Sequence, residues 1–400
     1  MLEGQAETLE RLRTFRAKLA PEGFDVWIHA ASLGEFEQGR PIIEALLKHQ
    51  PDKKILLSFF SPSGYEVRRD FNPKVAVVYL PFDELSMVSA FIDAAAPKMA
   101  IFVKYEFWGN FLTELARRNI PTYLISSIFR PGQRFFRPWG GMFRTMLGCY
   151  RHLYVQDERS RNLLNSIGVD NVTVAGDTRF DRVTAIRAAG KRIEPVEIFK
   201  AAAPDAFTLV VGSSWENDED IYVDELKKIA GCRAIIAPHE FDKDRLAAMR
   251  RRLGSNRTML FSDFARLCTG KPEDAAKVAK SLDFLIVDCF GLLSSLYAYA
   301  DAAYIGGGFG AGIHNINEAA VYGIPVMFGP KHSKFVEAIE LMEAGAAVCI
   351  HSPSEFADAM KTYVGDSGKR NKAGAAAAKY IASKIGATDI IVKDIFGIEL

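Results

Sequence analysis

The chain has 400 residues, of which 49% are hydrophobic and 25% are charged, and its formal net charge at pH 7 is +1. This length predicts two domains of roughly 150–200 residues each, and the near-zero charge gives no whole-chain argument for nucleic-acid binding. The five cysteines are scattered, with no Cys-x-x-Cys pair, which indicates a reducing compartment and no structural zinc site.

The first segment, MLEGQAETLERLRTFRAKLAPEGF, has the pattern of a basic amphipathic helix, with Leu9, Leu12, Phe15 and Leu19 at helical spacing. A helix packed on the first domain and a helix lying on a membrane surface both fit this pattern. The segment has no signal-peptide core, and the chain has no run of 18 apolar residues. We therefore expect no membrane-spanning segment.

Short apolar runs then alternate with helical patterns. The first series of predicted strands is DVWIHA, KILLSFF, VAVVYL, KMAIFV, TYLISS and HLYVQ. The second series is FTLVVG, RAIIAP, TMLF, FLIVDC, AAYIGG, PVMFG and AAVCI. Nearly continuous apolar strands separated by helices predict parallel sheets covered on both faces.

Each series begins with a strand, a small-residue loop and a helix, and an alanine-rich charged segment separates the two series near residue 190. We therefore predict an α/β chain of two doubly wound, Rossmann-like domains, residues 1–190 and 191–400. They are expected to face a central cleft at the carboxyl ends of both sheets, where ligands bind in such folds. The final helix could pack back on the first domain.

Two carboxylates follow strands of the first domain. In HAASLGEFEQGRP, Glu35 comes after the loop that contains Ser32 and Gly34. An acid at a helix start is stabilised by the helix dipole by about 0.3–1 kcal/mol, and a general base in the cleft is the functional alternative. Glu106, in KYEFWGN, is a second candidate, and pairing with Lys104 is its structural explanation.

The arginine–aromatic segment, SIFRPGQRFFRPWGGMFR at residues 127–144, contains four arginines and five aromatic residues. This composition predicts an exposed lip that mixes cations with apolar surface. Nucleic acid would suit it, and so would a phosphorylated lipid whose phosphates meet Arg130, Arg134 and Arg137. A solvated loop is the structural alternative.

In the second domain, Asp218–Asp220 reads DED and formally matches the D-x-D metal motif of some glycosyltransferases. Acids are common in the first turn of a helix, so we expect no metal there. His239 ends a predicted strand and would face the cleft, although a single histidine is more often structural.

The stretch from Tyr304 to Pro330, YIGGGFGAGIHNINEAAVYGIPVMFGP, is glycine-rich. It fits G-x-G-x-x-[GA], but a dinucleotide fingerprint follows a domain's first strand and precedes an acid by about 20 residues, and neither holds here. A glycine-rich turn before a helix start suits a phosphate, while tight strand–helix packing is the alternative. Asn315 and Glu318 either form a capping box, bind a ribose, or do both.

Together these segments resemble the Kdo (3-deoxy-D-manno-octulosonic acid) transferases of bacterial lipopolysaccharide synthesis, from about Trp27 to Val392. WIHAASLGEFEQGRPII resembles the acceptor-side motif of that family, and GGGFGAGIHNINEAAVYGIPVMFGP resembles its donor-side motif. YEFWGN, GSSWENDE, APHEFD and IVDCFGLLSSLYAYAD match further segments in order. The resemblance implies a metal-independent glycosyltransferase of the GT-B type, without a cofactor, that uses CMP-Kdo as donor.

The resemblance also implies site residues. Glu35 matches the catalytic base, and Glu106 matches a second essential carboxylate. The expected donor-binding residues are Ser213, Pro238, His239, Asp288, Gly291, Gly307, Gly308, Gly310, His314, Asn315 and Glu318. The expected acceptor-binding residues are Ser32, Gly34, Arg130, Arg134 and Arg137. Lys104 and Gly109 stand where the family often has an acid and a proline.

The implied reaction is inverting transfer of Kdo to a primary hydroxyl of the lipid A precursor, lipid IVA. We therefore expect peripheral contact with the cytoplasmic face of the inner membrane and no nucleic-acid partner. Many family members begin with an apolar anchor, which this sequence lacks, so docking by the basic helix and the arginine–aromatic segment is one expectation. A UDP-sugar 2-epimerase of the same architecture and a non-catalytic sugar-nucleotide-binding module are the alternatives.

Overall fold

A computed structural model describes residues 7–400, so the first six residues of the predicted basic segment lie outside the described part. The chain divides into two compact units, Met1–Arg182 with Lys384–Leu400, and Val183–Ser383. The division falls inside the helix Thr178–Ala189 rather than at residue 190, and the last helix belongs to the first unit. Asp181 explains that return, because its carboxylate accepts hydrogen bonds from the backbone N–H groups of Gly386 and Thr388 at 2.6 and 2.7 Å.

The first unit is a seven-stranded parallel sheet with helices between its strands. Its strands are β1 Val26–Ala30, β2 Ile55–Phe59, β3 Val75–Tyr79, β4 Ala100–Val103, β5 Thr122–Ser127, β6 His152–Val155 and β7 Val172–Val174. Its helices are α1 Thr8–Leu19, α2 Leu33–His49, α3 Pro62–Arg68, α4 Leu85–Ala95, α5 Gly109–Arg117, α6 Gly141–Gly148, α7 Glu158–Asn165, the shared α8 Thr178–Ala189 and, after the second unit, α19 Ala387–Phe396.

The second unit has the same plan. Its strands are β8 Phe207–Ser214, β9 Cys232–Pro238, β10 Thr258–Leu260, β11 Phe284–Ile286, β12 Ala302–Ile305, β13 Val326–Phe328 and β14 Ala347–Cys349. Its helices are α9 Glu194–Ala201, α10 Glu216–Leu226, α11 Lys243–Leu253, α12 Phe261–Gly270, α13 Pro272–Ser281, α14 Leu293–Leu296, α15 Asn317–Ala320, α16 Val336–Glu343, α17 Pro353–Gly365 and α18 Ser367–Ala382.

Both sheets are doubly wound. The strand orders are β3-β2-β1-β4-β5-β6-β7 and β10-β11-β9-β8-β12-β13-β14. The first strand of each unit therefore lies near the centre of its sheet. Successive strands are added on one side of it first and then on the other side, so the strand order reverses between β1 and β4 and between β8 and β12. Such switch points, at the carboxyl ends of parallel strands, are where α/β sheets bind ligands. The loops that follow β1, β4, β8 and β12 carry most of the residues singled out in the sequence.

The apolar stripe of α1 is packed into the first unit. Leu12 is fully buried in the core that contains Phe24 and Trp27, and Leu9, Phe15 and Leu19 pack against it half-buried. Of the two interpretations of the basic segment, the structure has the helix packed on its own domain. Within residues 7–400, no helix has both the length and the apolar character to cross a bilayer.

Candidate functional site

Glu35 lies in the first turn of α2, directly after β1. Its Oε2 atom accepts hydrogen bonds from the backbone N–H of Ser32 at 2.9 Å and from the Ser32 hydroxyl at 3.1 Å. Burial, followed by the negative charge of Glu106, raises the pKa of Glu35, while Lys104 and the bonds from Ser32 oppose that rise. The helix-start explanation therefore holds, and the same carboxylate is also a stronger base than an exposed glutamate.

Glu106 is the buried carboxylate of the loop after β4, with 5% exposure. Its Oε2 atom accepts hydrogen bonds from His29 Nε2 at 3.0 Å and from the indole N–H of Trp108. A histidine and a tryptophan are thus partners of this carboxylate, and the Lys104 ammonium lies 5.4 Å from the centre of the Tyr105 ring. The sequence did not single out His29, because the residue lies inside a strand that reads as core.

The backbone at this edge of the sheet is unusual. Lys104, directly after β4, has a φ of 74°, and Ser126, within β5, has a φ of 51°. Residues other than glycine rarely adopt left-handed conformations, and such strain tends to cluster at functional sites. Because β4 and β5 are neighbours in the sheet and Val103 pairs with Ile125, Lys104 and Ser126 each come directly after a paired residue, where the loop that carries Glu106 begins.

The arginine–aromatic segment is anchored by its buried phenylalanines and exposes its arginines. Phe129 and Phe135 are buried, whereas Arg130, Arg134 and Arg137 are exposed, as the sequence predicted. Burial raises the pKa of the Tyr105 hydroxyl, while the charge of Arg130 opposes that rise and the charge of Glu35 adds to it. Arg130 and Glu35 therefore both act on Tyr105, the residue before Glu106.

The same segment also exposes apolar surface. Trp139 is 65% exposed, and Met142 is 69% exposed. Arg134 packs over the ring of Phe143 at 5.3 Å, so part of its cationic surface lies against an aromatic ring. Exposed tryptophan and methionine beside arginines are typical of surfaces that contact amphiphilic partners.

In the second unit, the glycine-rich loop follows β12, and two of its glycines are needed for packing. A Cβ atom on Gly306 would lie 2.3 Å from the Ser213 carbonyl oxygen, and one on Gly308 would lie 2.5 Å from the backbone of Gly329. The packing explanation therefore holds for these two positions. It does not hold for Gly310, where the nearest atom would be 3.6 Å away.

Asp218 fixes the start of this loop, a role that the sequence analysis missed. Its side chain is fully buried. It accepts hydrogen bonds from the backbone N–H groups of Gly307 at 2.7 Å and Trp215 at 3.0 Å, and from the hydroxyl of Tyr304 at 3.2 Å. Asp218 does lie in the first turn of α10, as expected. Within residues 7–400, no group of three or more His, Cys, Asp or Glu side chains is arranged to hold a metal ion.

Three rings gather at the ends of β8 and β9 and at the glycine-rich loop. The Trp215 and His239 rings stack at 4.3 Å, and the His239 and His314 rings stack at 4.6 Å. The Trp215 indole N–H donates to His314 Nε2 at 3.1 Å. The neutral His314 ring therefore carries its hydrogen on Nδ1. In the sequence, Trp215 stood out only as part of the segment GSSWENDE, and it was not predicted as a site residue.

Both histidines of this ring cluster are held neutral. Burial, aided by His239, lowers the pKa of His314 to about 4. Burial also lowers the pKa of His239, to which Arg245 contributes. Near pH 7, the cluster thus offers hydrogen-bond donors without positive charge.

Asn315 and Glu318 are connected, but not as the predicted capping box. The helix α15 begins at Asn317 with Ile316 as its N-cap. The Asn315 side chain accepts from the Asn317 N–H at 3.2 Å and donates to Glu318 at 3.1 Å, and the hydroxyl of Ser294 donates to Glu318 at 2.6 Å. Because α15 has only four residues, its dipole adds little, and loop N–H groups become the main candidates for binding a phosphate.

The remaining predicted donor residues lie at the ends of β8 and β9 and in the loop after β11. Asp288 accepts from the Ser262 N–H at 2.9 Å and the Ser262 hydroxyl at 2.5 Å, so its carboxylate caps α12. Asp288 also lines a cavity of about 430 Å³ that Phe241, Lys243 and Arg250 share. Pro238 ends β9, Gly291 has a φ of 82°, and Ser213 has a strained φ of 53°.

Comparisons with known proteins bear on these two sets of residues. Residues 6–182 match the family described as 3-Deoxy-D-manno-octulosonic-acid transferase (kdotransferase). The chain is 26% identical to the 3-deoxy-D-manno-octulosonic acid transferase of Rickettsia bellii (strain RML369-C), over 83% of this chain and 78% of that protein. It is also 26% identical to the enzyme of the same name from Bordetella pertussis, over 92% of this chain and 86% of that protein.

Among solved structures, the UDP-GlcNAc 2-epimerase from Neisseria meningitidis has a TM-score of 0.58 and 16% identity, over 93% of this chain and 100% of that chain. At this identity the likeness concerns the fold alone, and it confirms the predicted two-domain α/β fold of the GT-B type. The epimerase alternative therefore shares the architecture, whereas the sequence matches are to transferases. The chain is a glycosyltransferase similar to Kdo transferases over most of its length, which confirms the resemblance predicted from its sequence.

Proposed function

We propose that this enzyme moves Kdo from CMP-Kdo to a primary hydroxyl of the lipid A precursor, lipid IVA, with Glu35 as general base. The observation that carries the proposal is the position of Glu35 in the Kdo-transferase domain, at the switch point of the first sheet, with a pKa raised by burial and by Glu106. A carboxylate of this kind is suited to take a proton from an alcohol during attack.

In the proposed reaction, Glu35 takes the proton of the acceptor hydroxyl while that oxygen attacks the anomeric carbon of Kdo. The bond between this carbon and the phosphate oxygen breaks, CMP leaves with the bonding electrons, and the configuration inverts in a single displacement. General-base help of this kind is worth typically about 10²–10⁴-fold. A phosphate monoester is a good leaving group, so the proposal requires neither a general acid nor a resident metal ion.

The second unit is proposed to hold the donor. The N–H groups of Gly307, Gly310, Gly312, Ile313 and His314 already donate within the protein. The N–H groups of Gly308 and Ala311 in the same loop, and the Nδ1–H of His314, would therefore meet the phosphate charge that develops as CMP leaves. Glu318 and Asn315 would bind the ribose hydroxyls. The contacts of Glu318 with Asn315 and Ser294 support this role, because they fix the carboxylate in one orientation.

The acceptor is proposed to bind at the first unit from the cytoplasmic face of the inner membrane. The phosphates of the glycolipid would meet Arg130, Arg134 and Arg137, and the exposed Trp139 and Met142 would contact acyl chains or lipid. The exposure of all five side chains supports this contact, and so does the charge effect of Arg130 on Tyr105, the residue before Glu106.

The test is transfer from CMP-Kdo to purified lipid A precursor, followed by mass spectrometry of the product. Glu35→Ala should lose about 10²–10⁴-fold in kcat while its affinity for CMP, measured by calorimetry, stays unchanged. Glu37→Gln is the matched control. Glu37 lies two residues further along α2 and is engaged by Arg68 at 3.1 Å, so this variant should keep the wild-type rate.

Each alternative has its own outcome in the same experiment. Interconversion of a UDP-sugar without any lipid would identify an epimerase, and CMP binding without turnover would identify a non-catalytic binding module. Near wild-type transfer by Glu35→Ala would refute the general-base role while leaving the transferase assignment intact.

A further inference from the structure

A buried histidine connects the carboxylate site to the interior of the first sheet. His29 lies in β1 and is fully buried. Its Nε2 atom is 3.0 Å from Glu106 Oε2, and its Nδ1 atom is 2.9 Å from the hydroxyl oxygen of Ser58. The Ser58 hydroxyl in turn accepts the indole N–H of Trp27 at 2.8 Å.

The contact with Glu106 places a hydrogen on Nε2 of the His29 ring, because the Glu106 oxygen acts there as the acceptor. At Nδ1, either the Ser58 hydroxyl donates to the ring, or the ring donates to the Ser58 hydroxyl oxygen and to the Ser58 backbone carbonyl, which is 3.1 Å away. In both cases, Nε2 donates to Glu106.

The hydrogen bond between His29 and Glu106 lies in buried, aromatic surroundings. The ring of His29 packs edge-on against Phe102, with the centroids 5.6 Å apart. A buried carboxylate that loses a charge-assisted hydrogen bond in such surroundings becomes easier to protonate. Trp108 would remain as the second donor to the same oxygen atom.

We propose that His29 is a positioning residue of the transfer reaction, which holds Glu106 ionised and in place so that Glu106 can keep Glu35 basic. This inference rests on the proposed role of Glu35. His29 touches neither substrate and acts only through Glu106. A histidine that merely fills the core would affect stability but not the ionisation of the pair.

Several charged and titratable groups of the first unit act on the pair or on its neighbours. Glu35 is opposed by Glu106 and supported by Lys104, both from the loop after β4. Glu106 faces Tyr150, beside Cys149, at the end of α6. Tyr105, on the same loop as Glu106, experiences the charges of Arg130, Arg179, Glu35 and Asp177.

The sign of the pH effect follows from the coupled ionisation of the two carboxylates. The doubly ionised pair is the proposed active form. Removal of a donor to Glu106 destabilises this form, so full ionisation requires a higher pH. One lost hydrogen bond to a charged group corresponds to about one to two pH units.

The experiment is the pH profile of kcat/KM for Kdo transfer in the full chain, for wild type, His29→Leu and His29→Gln. His29→Leu should move the acidic limb of the profile upward by about one pH unit or more and approach the wild-type rate at high pH. His29→Gln can still donate to Glu106 from its amide, and it should keep the wild-type limb. His152→Gln is the control, because His152 lies on β6 with Thr173 as its partner at 2.8 Å.

A uniform loss of rate at every pH, or an unchanged acidic limb in His29→Leu, would overturn the inference. If His29→Leu does not fold, Ser58→Ala should shift the limb in the same direction, because it frees His29 to adopt the other tautomer. Nitrogen-15 chemical shifts of His29 in the wild type should show a hydrogen on Nε2, and a ring that carries its hydrogen on Nδ1 alone would refute the proposal. Absence of Kdo transfer by the wild type would instead refute the proposed function, and the nitrogen shifts would still test His29.

Discussion

Replacement of Asp218 by alanine should detach the glycine-rich loop from the core of the second unit. The change removes the acceptor of three buried donors, the N–H groups of Gly307 and Trp215 and the hydroxyl of Tyr304. An unsatisfied buried donor costs about 1–3 kcal/mol. Burial raises the pKa of Asp218, so loss of its charge returns part of that cost. We expect a net loss of about 2–4 kcal/mol in the free energy of unfolding.

The functional consequence is weaker binding of CMP. If the loop spends less time in its binding conformation, the apparent Kd rises in proportion, and each 1.4 kcal/mol of lost restraint corresponds to a factor of about ten. We expect a tenfold to hundredfold weaker affinity, roughly, by calorimetry. Asp218→Asn should be milder, because its amide oxygen can still accept from both backbone N–H groups and the Tyr304 hydroxyl can turn to accept.

Asp220→Ala provides the control, because Asp220 is exposed and pairs with Arg252 at 2.6 Å. This variant should bind CMP as the wild type does. Wild-type affinity and thermal stability in Asp218→Ala would refute the reasoning, since they would mean that the three donors find other partners without cost.

Two further changes test the proposed donor site. Trp215→Phe removes the N–H that fixes the tautomer of His314, so CMP affinity should fall by about threefold to tenfold, as expected for one neutral hydrogen bond. An unchanged Kd by calorimetry would count against the tautomer argument. Glu318→Ala should weaken CMP binding more than it weakens the binding of a CMP analogue that lacks the ribose hydroxyls, and equal losses for both ligands would leave Glu318 with a structural role only.

The strand pattern could be predicted from the sequence because buried parallel strands are continuous apolar runs. All seven strands of the second unit and six of the first were recognisable in this way. β7 was missed because Val172–Val174 has only three residues, each half-buried at the edge of the sheet. The sequence also did not predict that the division between the units lies inside α8, because that division depends on the hydrogen bonds between Asp181 and the C-terminal segment.

The candidate site was predictable where a residue follows a strand directly. Glu35 and Glu106 both come just after strands, so topology alone places them at the carboxyl edge. His29 and Asp218 were not predictable, because their partners are distant in sequence: His29 meets Glu106, 77 residues away, and Asp218 meets Gly307, 89 residues away. The neighbouring sequence predicts Asp218 as an acid in the first turn of a helix. It does not indicate that Asp218 also holds the glycine-rich loop.

The two units differ in the ionisation of their buried and partly buried side chains. In the first, two carboxylates are brought together at a buried edge, which costs stability because like charges repel and burial penalises both. The His29 and Trp108 donors offset that cost at Glu106. At Glu35, the bonds from Ser32 and the charge of Lys104 offset only part of it, so the pKa of Glu35 stays raised by burial and by Glu106. In the second, burial keeps His239 and His314 uncharged. In the proposed donor site, a phosphate held by such neutral donors would be bound less tightly than one held by cations, which would favour release of CMP after each transfer.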